Sequence, residues 1–506
     1  MPARASPPLP GRRRTLAPPI LLAAAALRVL AFGLVGAFLS STDAHHRLVA
    51  PALADEGGHG NGKGNGNGQG NGNGNGNGNG QGNGNGQGNG GGNGNSQGNG
   101  NGNSSDSQGS DVGATWISPP AGSSSAPAGA ANPGREGRGG FEPGEVVVLG
   151  DRPDTLARVR SLGFRLIEAR PLAALGLSVL KLSTPAGLDA RQGVAVLHAR
   201  YPELTADVNS LYGSYETEAA QVVSLPAPDY ARRMIRWSGG EGCGAGLRIG
   251  MIDSALAAGL PTFTGRKLHE RSFLEPGHLA ADPAHGTAIA ALLVGAADPS
   301  HPTAGGLLPD AALYAAAVSE RQGGESQASA FAIAAALDWM VQNRVAIVNV
   351  SLAGNDNALM ALAVHRASAR GTILVAAAGN AGADAPPAYP GALPDVIAVT
   401  AVDQDGAIFP EANRGNYIAF AAPGVRIWVP GPDGQGRYET GTSFAAPFAL
   451  GTAALEMMQG APPNADALRR RLAAKARALG TGGKSPVFGY GLVQADAACG
   501  VATLAE

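Results

Sequence analysis

Five short runs, each apolar at nearly every position, constrain this chain more than any other feature. They are "LRIGMID" from Leu247, "AALYAAAV" from Ala311, "VAIVNVSLAG" from Val345, "TILVAAAGN" from Thr372 and "VIAVTAVD" from Val396. A strand that is apolar on both faces has to be covered on both. Ala-rich stretches between the runs, "QASAFAIAAALDWMVQNR" and "NALMALAVHRASARG", read as the covering helices. The pattern predicts an α/β fold with a doubly wound, mostly parallel sheet, whose sites form beyond the carboxyl ends of the strands.

A different pattern precedes it. "GEVVVLG" is a β-branched run, and "PDTLARVRSLG" is helix-like with Gly163 closing it. "FRLIEARPL" and "GLSVLKLST" alternate as strands, "ARQGVAVLHARYPEL" is helical, and "TADVNSLYG" reads as a last strand. That order predicts a small α+β unit of the split βαβ, ferredoxin-like kind over residues 139–225, with the parallel-sheet domain over 226–506.

The first 54 residues carry a basic cluster at Arg12–Arg14, an apolar stretch from Leu16 to Leu39 and the small-residue triplet Ala52-Leu53-Ala54. This is the layout of an export signal, or, if it is not cut, of a membrane anchor. Both readings place the rest of the chain outside the cytoplasm: secreted, periplasmic or at the cell surface. Residues 55–138 are dominated by Gly and Asn, as in "GNGNGNGNGNGQGNGNG", and have nothing to bury. They read as a flexible spacer, the rival being a self-associating or wall-binding repeat. Lys+Arg 37 against Asp+Glu 39 leaves a formal charge of -2, which gives no footprint for nucleic acid and no basic patch for a membrane surface. Any membrane contact would run through the N-terminal segment.

Four polar residues sit where elements of the parallel-sheet domain begin or end. Asp253 closes "LRIGMID", His285 opens "HGTAIAALLVG", Asn380 follows Gly379 in "VAAAGN", and Ser443 follows Gly441-Thr442 before a small-residue helix. Each alone has a bland reading: a turn residue, a packing histidine, a turn pair, a helix cap. Together they are the parts of a nucleophilic site. A serine hydroxyl needs an imidazole to take its proton, the imidazole needs a carboxylate, and the developing oxyanion needs donors. Asn380 and the Ser443 backbone N–H are the candidate donors. Pro447, inside the helix after Ser443, is expected to be tolerated because it falls near the first turn.

The segments "IGMIDSA", "HGTAIAALLVG", "VNVSLAG", "VAAAGNAG", "AYPGALPDVIAVTAVD", "GTSFAAP" and "GYGLVQADAA" occur in this order. From Leu247 to Ala498 the chain thereby resembles the subtilisin-type serine peptidases, whose order of Asp, His and Ser is a standard example of the triad. The resemblance implies an endopeptidase in which Asp253 orients, His285 acts as base and then acid, Ser443 attacks and Asn380 stabilises the oxyanion. It implies that the backbone of Ser351, Leu352, Ala353 and Gly354 pairs with extended peptide. Ala378 and Gly379 would border the primary specificity pocket and Ala388 its floor, admitting a mid-sized or large apolar side chain. It also makes residues 139–225 a propeptide-like unit that assists folding, blocks the cleft and is cut between about Tyr212 and Tyr230. The partners so implied are peptide and protein substrates and the chain's own prodomain, in a monomer. The family's usual glycine two residues after the aspartate is Ala255 here, which would be strained if that position needs positive φ.

Cys243 and Cys499 are the only cysteines. In an exported chain the pair favours a disulfide, the alternative being two buried thiols. No metal-ligand cluster is evident and no cofactor is required. Structural calcium is a family habit, but no acidic loop here points to it. Two rival functions stay open: an inactive relative that binds peptide without cleaving it, and a surface protein whose Gly/Asn tract is the working part.

Overall fold

The computed structural model describes residues 140–214, 225–496 and 499, apart from positions 151, 298–300, 302–303, 323, 432 and 434. The expected export segment, the Gly/Asn tract and the segment 215–224 lie outside the described residues. Among the described residues no helix is long and apolar enough to cross a membrane.

The N-terminal module runs β1 (Phe141–Leu149), α1 (Thr155–Ser161), β2 (Arg165–Leu172), β3 (Leu177–Ser183), α2 (Ala190–Arg200) and β4 (Ala206–Gly213). Its strands are antiparallel in the order β2-β3-β1-β4, the arrangement the split βαβ pattern predicts. Local chemistry fixes the helix ends. Asp189 and Gln192 form a reciprocal capping box at the start of α2, and Gly163 follows α1 with φ 87°.

The uninterrupted apolar run of β1 has a structural reason. Val146 and Val148 pack with Val159 and Leu197 of the module's own helices. Val147 and Leu149 face the opposite way, into a second cluster with α5 (Ala330–Gln342) and α6 (Ala358–Ser368) of the following domain. A sheet with one face solvated would alternate. This one has both faces covered, and the second cover lies more than a hundred residues downstream.

The following domain opens with α3 (Tyr230–Met234) and β5 (Arg248–Asp253), then β6 (Lys267–Ser272), α4 (Ala284–Val294), β7 (Ala312–Ala317), β8 (Glu320–Gln322) and β9 (Glu325–Ser329). After α5 come β10 (Ile347–Val350), β11 (Ala353–Gly354), α6, β12 (Ile373–Ala377), β13 (Val396–Val402) and β14 (Ile418–Pro423). A hairpin of β15 (Ile427–Pro430) and β16 (Gly436–Glu439), then α7 (Thr442–Met458) and α8 (Ala465–Lys475), complete it. The central sheet has the order β14-β13-β12-β10-β5-β7-β6 and is parallel throughout. One face packs on α4 and α7, the other on α5 and α6. The strands read from apolar runs are all present. Edge strand β6 and the β15–β16 hairpin carry no signal of comparable strength, β6 being the mostly exposed "KLHERS", while edge strand β14, "IAFAAP", is as apolar as the runs but was not among them.

One expectation needs correction. "QASAF" was expected to begin a helix, but Glu325–Ser329 is strand β9 and the helix starts at Ala330, capped by the Ser329 hydroxyl on the Ala332 N–H. The reason is tertiary, since β9 pairs with β4 of the N-terminal module. Cys243 and Cys499, separated by 256 residues, are joined in a disulfide that ties the start of this domain to its far end.

Candidate active site

Asp253 is the last residue of β5 and His285 the second of α4, and both are almost fully buried. A close approach of backbone to backbone brings them together. A Cβ on Gly286 would lie 2.5 Å from the Ser254 carbonyl and 2.9 Å from that of Ala255, so only glycine lets the start of α4 settle there. Gly286 N–H also donates to Ser254 Oγ (3.0 Å), and Ala257 N–H donates to Thr287 Oγ1 (2.9 Å). Held in this way, His285 Nδ1 is 2.7 Å from Asp253 Oδ1, which also accepts from Ser254 N–H at 2.7 Å. An ionised carboxylate can only accept, so Nδ1 carries the proton and Nε2 is left as the basic nitrogen. Ala255 is not among the non-glycine residues with positive φ, so the strain considered for it does not arise.

Ser443 is the second residue of α7, 2% exposed, and its neighbour Phe444 stacks obliquely on the His285 ring with centroids 5.5 Å apart. The hydroxyl donates to the Ser351 carbonyl at 3.4 Å. At this helix start the backbone N–H groups and the helix dipole favour negative charge. Asn380 lies alongside. Its Oδ1 accepts from both the N–H (3.0 Å) and the hydroxyl (2.7 Å) of Thr442. A backbone N–H can only donate, so this contact fixes which end of the amide is oxygen and turns the NH2 group to the other side. The Thr442 hydroxyl in turn accepts from Gly379 N–H (3.2 Å), joining the two loops.

Pro447 is the sixth residue of α7, beyond the first turn, so the expected reason for its tolerance fails. Lacking an N–H, it leaves the Ser443 carbonyl without its intrahelical donor. Ser351 Oγ donates to that carbonyl instead (3.0 Å), while accepting from Asn349 Nδ2 (2.8 Å). This buried chain from β10 to α7 was not foreseen. Ser351 was singled out for its backbone alone, and its side-chain partner stands 92 residues away.

Of the expected peptide-binding residues, Ala353 and Gly354 form β11, which pairs antiparallel with β4: Ala353 opposite Gly213 and Gly354 opposite Tyr212. On its other edge β4 pairs with β9, with Tyr212 opposite Ala328. The end of the N-terminal module therefore runs as the middle strand between two strands of the second domain. Tyr212 is fully buried there, and its hydroxyl donates to the Asn355 carbonyl. The Leu352 side chain is fully buried in the cluster beneath α5 and α6, so only its backbone borders the groove. Gly379 and Ala388 are adjacent across a pocket also lined by Gly354, Asn380, Pro386 and Asn413. Ala378 is fully buried, and its carbonyl accepts from the Tyr417 hydroxyl (2.8 Å), whose pKa burial pushes up to about 12. Asn413 braces the pocket wall by accepting from Ala381 N–H (2.8 Å) and donating to the Pro386 carbonyl (3.0 Å). Among the described residues no three His, Cys, Asp or Glu side chains converge as a metal site, and no step below uses a metal.

Residues 244–491 match the model of the subtilase family, Peptidase S8. Subtilisin DY of Bacillus licheniformis is 32% identical over 261 residues, which cover 50% of this chain and 91% of that protein. The chain belongs to the subtilase family of serine endopeptidases. This subtilase is also 30% identical over 262 residues to the minor extracellular protease Epr of Bacillus subtilis, covering 50% of itself but only 38% of Epr. Among solved structures, fervidolysin from Fervidobacterium pennivorans, a keratinolytic enzyme related to subtilisin, superposes with a TM-score of 0.57 at 20% identity. That match covers 70% of this chain and 60% of fervidolysin. The epidermin leader peptide processing protease of Staphylococcus aureus gives 0.54 at 15% identity, covering 72% of this chain and all of the other. At those identities the two structures speak for the fold alone.

Proposed function

We propose that this subtilase is an exported endopeptidase that cleaves peptide bonds through an acyl-enzyme on Ser443. The observation that carries the reading is the 2.7 Å Asp253–His285 contact, set against the helix start that bears Ser443. In the proposed cycle Ser443 Oγ attacks the scissile carbonyl carbon while His285 Nε2 takes the hydroxyl proton. The oxyanion that forms is met by the Asn380 amide and the Ser443 N–H. His285 then protonates the leaving amine, and a water activated by the same imidazole releases the acyl group. Asp253 holds the ring and stabilises its charged form. Supporting export are the N-terminal signal-like segment and the Cys243–Cys499 bridge, a bond that persists in oxidising compartments.

The N-terminal module acts as a prodomain, and its first substrate is the chain itself. Support comes from β4 lying antiparallel on β11, as an extended peptide would. The pairing of β4 with β11 ends at Gly213 opposite Ala353, just before the linker in which the cut is placed, between about Tyr212 and Tyr230.

A serine-directed phosphonate labels the processed protein on Ser443, and Ser443→Ala stays unlabelled and full length. Absence of label on processed protein would sink the peptidase reading in favour of an inactive relative. N-terminal sequencing of the mature chain returns a start between Tyr212 and Tyr230, and a start outside that window would overturn the prodomain reading alone.

A further inference from the structure

At the opposite end of α4 from His285, a cavity of about 500 Å³ opens beside α3, lined by Arg232, Arg233, Trp237, Gly240, Arg266 and Pro309 among others. Nothing in the proposed catalytic cycle uses it. Its charge arrangement is unusual. Arg232 donates through Nη2 to the carbonyls of Gly305 and Gly306, and Arg266 donates through Nη1 to that of Pro309. Neither guanidinium has a carboxylate within ion-pair distance among the described residues. Two carboxylates do line the cavity. Asp229 is occupied by Arg233, and Glu241 has no ion pair among the described residues. The lining therefore carries three guanidinium groups against two carboxylates, and both unpaired cations grip one backbone segment, residues 305–309.

Burial is costly for a cation, and here desolvation lowers the Arg232 pKa to about 10 against the opposing charge of Asp229. Carbonyl dipoles satisfy single N–H groups but bring no negative charge. A guanidinium offers five donors in a planar fork, so the remaining N–H groups of two such residues in one cavity suit the oxygens of a compact anion.

We propose that this cavity is a binding site for a small oxyanion, a tetrahedral sulfate or phosphate or a carboxylate group, held by Arg232 and Arg266. Bound there, the anion would link α3, the start of β6 and the 305–309 segment near the Cys243–Cys499 bridge. Its effect is on stability, since the site lies away from Ser443.

The test uses full-length Ser443→Ala, which cannot digest itself. Sulfate, phosphate and acetate are titrated calorimetrically and by thermal unfolding, with ionic strength held constant by chloride. One sulfate or phosphate per chain is expected, with a Kd on the order of 1 mM and a matching rise in Tm. Acetate binding as tightly would assign the site to carboxylates instead. Arg266→Gln should weaken binding by about tenfold, and Glu241→Gln, which removes an opposing charge from the rim, should tighten it. Because Glu241 is exposed, the second variant reports even if the first fails to fold. Non-saturable stabilisation, or binding indifferent to both substitutions, means an adventitious ion only and overturns the proposal.

Discussion

The Ser443 carbonyl depends on a hydroxyl from the loop just past β10. Pro447 removes its helical donor, Ser351 Oγ replaces it, and Asn349 holds Ser351 in place. Ser351→Ala would leave a buried carbonyl unsatisfied, at a cost of roughly 1–3 kcal/mol. It should lower Tm and reduce kcat several-fold with KM nearly unchanged, because the change falls behind Ser443, the proposed nucleophile, and not in the groove. Steady-state kinetics with a peptide substrate separates the two constants. Thr442→Val should likewise lower kcat, since it deletes one of the two donors that orient Asn380 and the acceptor that Gly379 uses. At this scale the sequence was readable where a residue's chemistry is its own. Asp253, His285, Asn380 and Ser443 stand out as candidates by type and position. Ser351 and Thr442 did not, because what they do is defined by partners 92 and 62 residues away.

Among the elements, α4 shows how a helix is aimed. Gly286 lets its first turn rest on the carbonyls that follow Asp253, and this seat sets the His285 ring at hydrogen-bonding distance. Gly286→Ala should push the turn outward and lower kcat/KM by roughly a hundredfold, the usual penalty for a displacement of about 1 Å at a reacting group. Unchanged circular dichroism would show that the fold survives. Strands that are apolar on both faces were legible because the parallel sheet demands it. Strand β9 was misread as helix because "ESQAS" has no strand signal of its own and becomes extended by pairing with β4. The mostly exposed edge strand β6 was missed for a related reason, as it is held by its ladder to β7 rather than by burial.

Two features belong to the whole molecule. The Cys243–Cys499 bridge closes a loop of 256 residues. Replacing both cysteines by serine should cost about 2–5 kcal/mol, measured by denaturant unfolding of the Ser443→Ala chain with and without the bridge. The second feature is the boundary between module and catalytic domain, where Lys181 of β3, almost wholly buried, pairs with Glu275 at 2.5 Å. Nearby Glu145 accepts from Asn209 (2.9 Å), and burial, with the charges of Glu275 and Glu142, raises its pKa against the lowering effects of Asn209 and Lys181. Folding therefore favours the protonated acid. The stability tied to Glu145 is present below its unfolded pKa and lost as pH rises through the raised folded value. Glu145→Gln keeps an oxygen for Asn209 but cannot ionise. In the Ser443→Ala chain it should match the parent at low pH and become the more stable of the two as pH climbs past that value, as followed by thermal unfolding across pH.

What the sequence determined by itself was the doubly wound α/β domain and the order of the βαββαβ module, and it named the four polar residues as candidates. Those follow from hydrophobic period and residue chemistry, both local. Only the tertiary structure decided that one end of the module fills the groove between β9 and β11, that Gly286 seats the histidine, and that a serine just past β10 replaces the bond a proline removes. Such contacts join positions far apart in the chain, and their energy exists only once the backbone has brought them together.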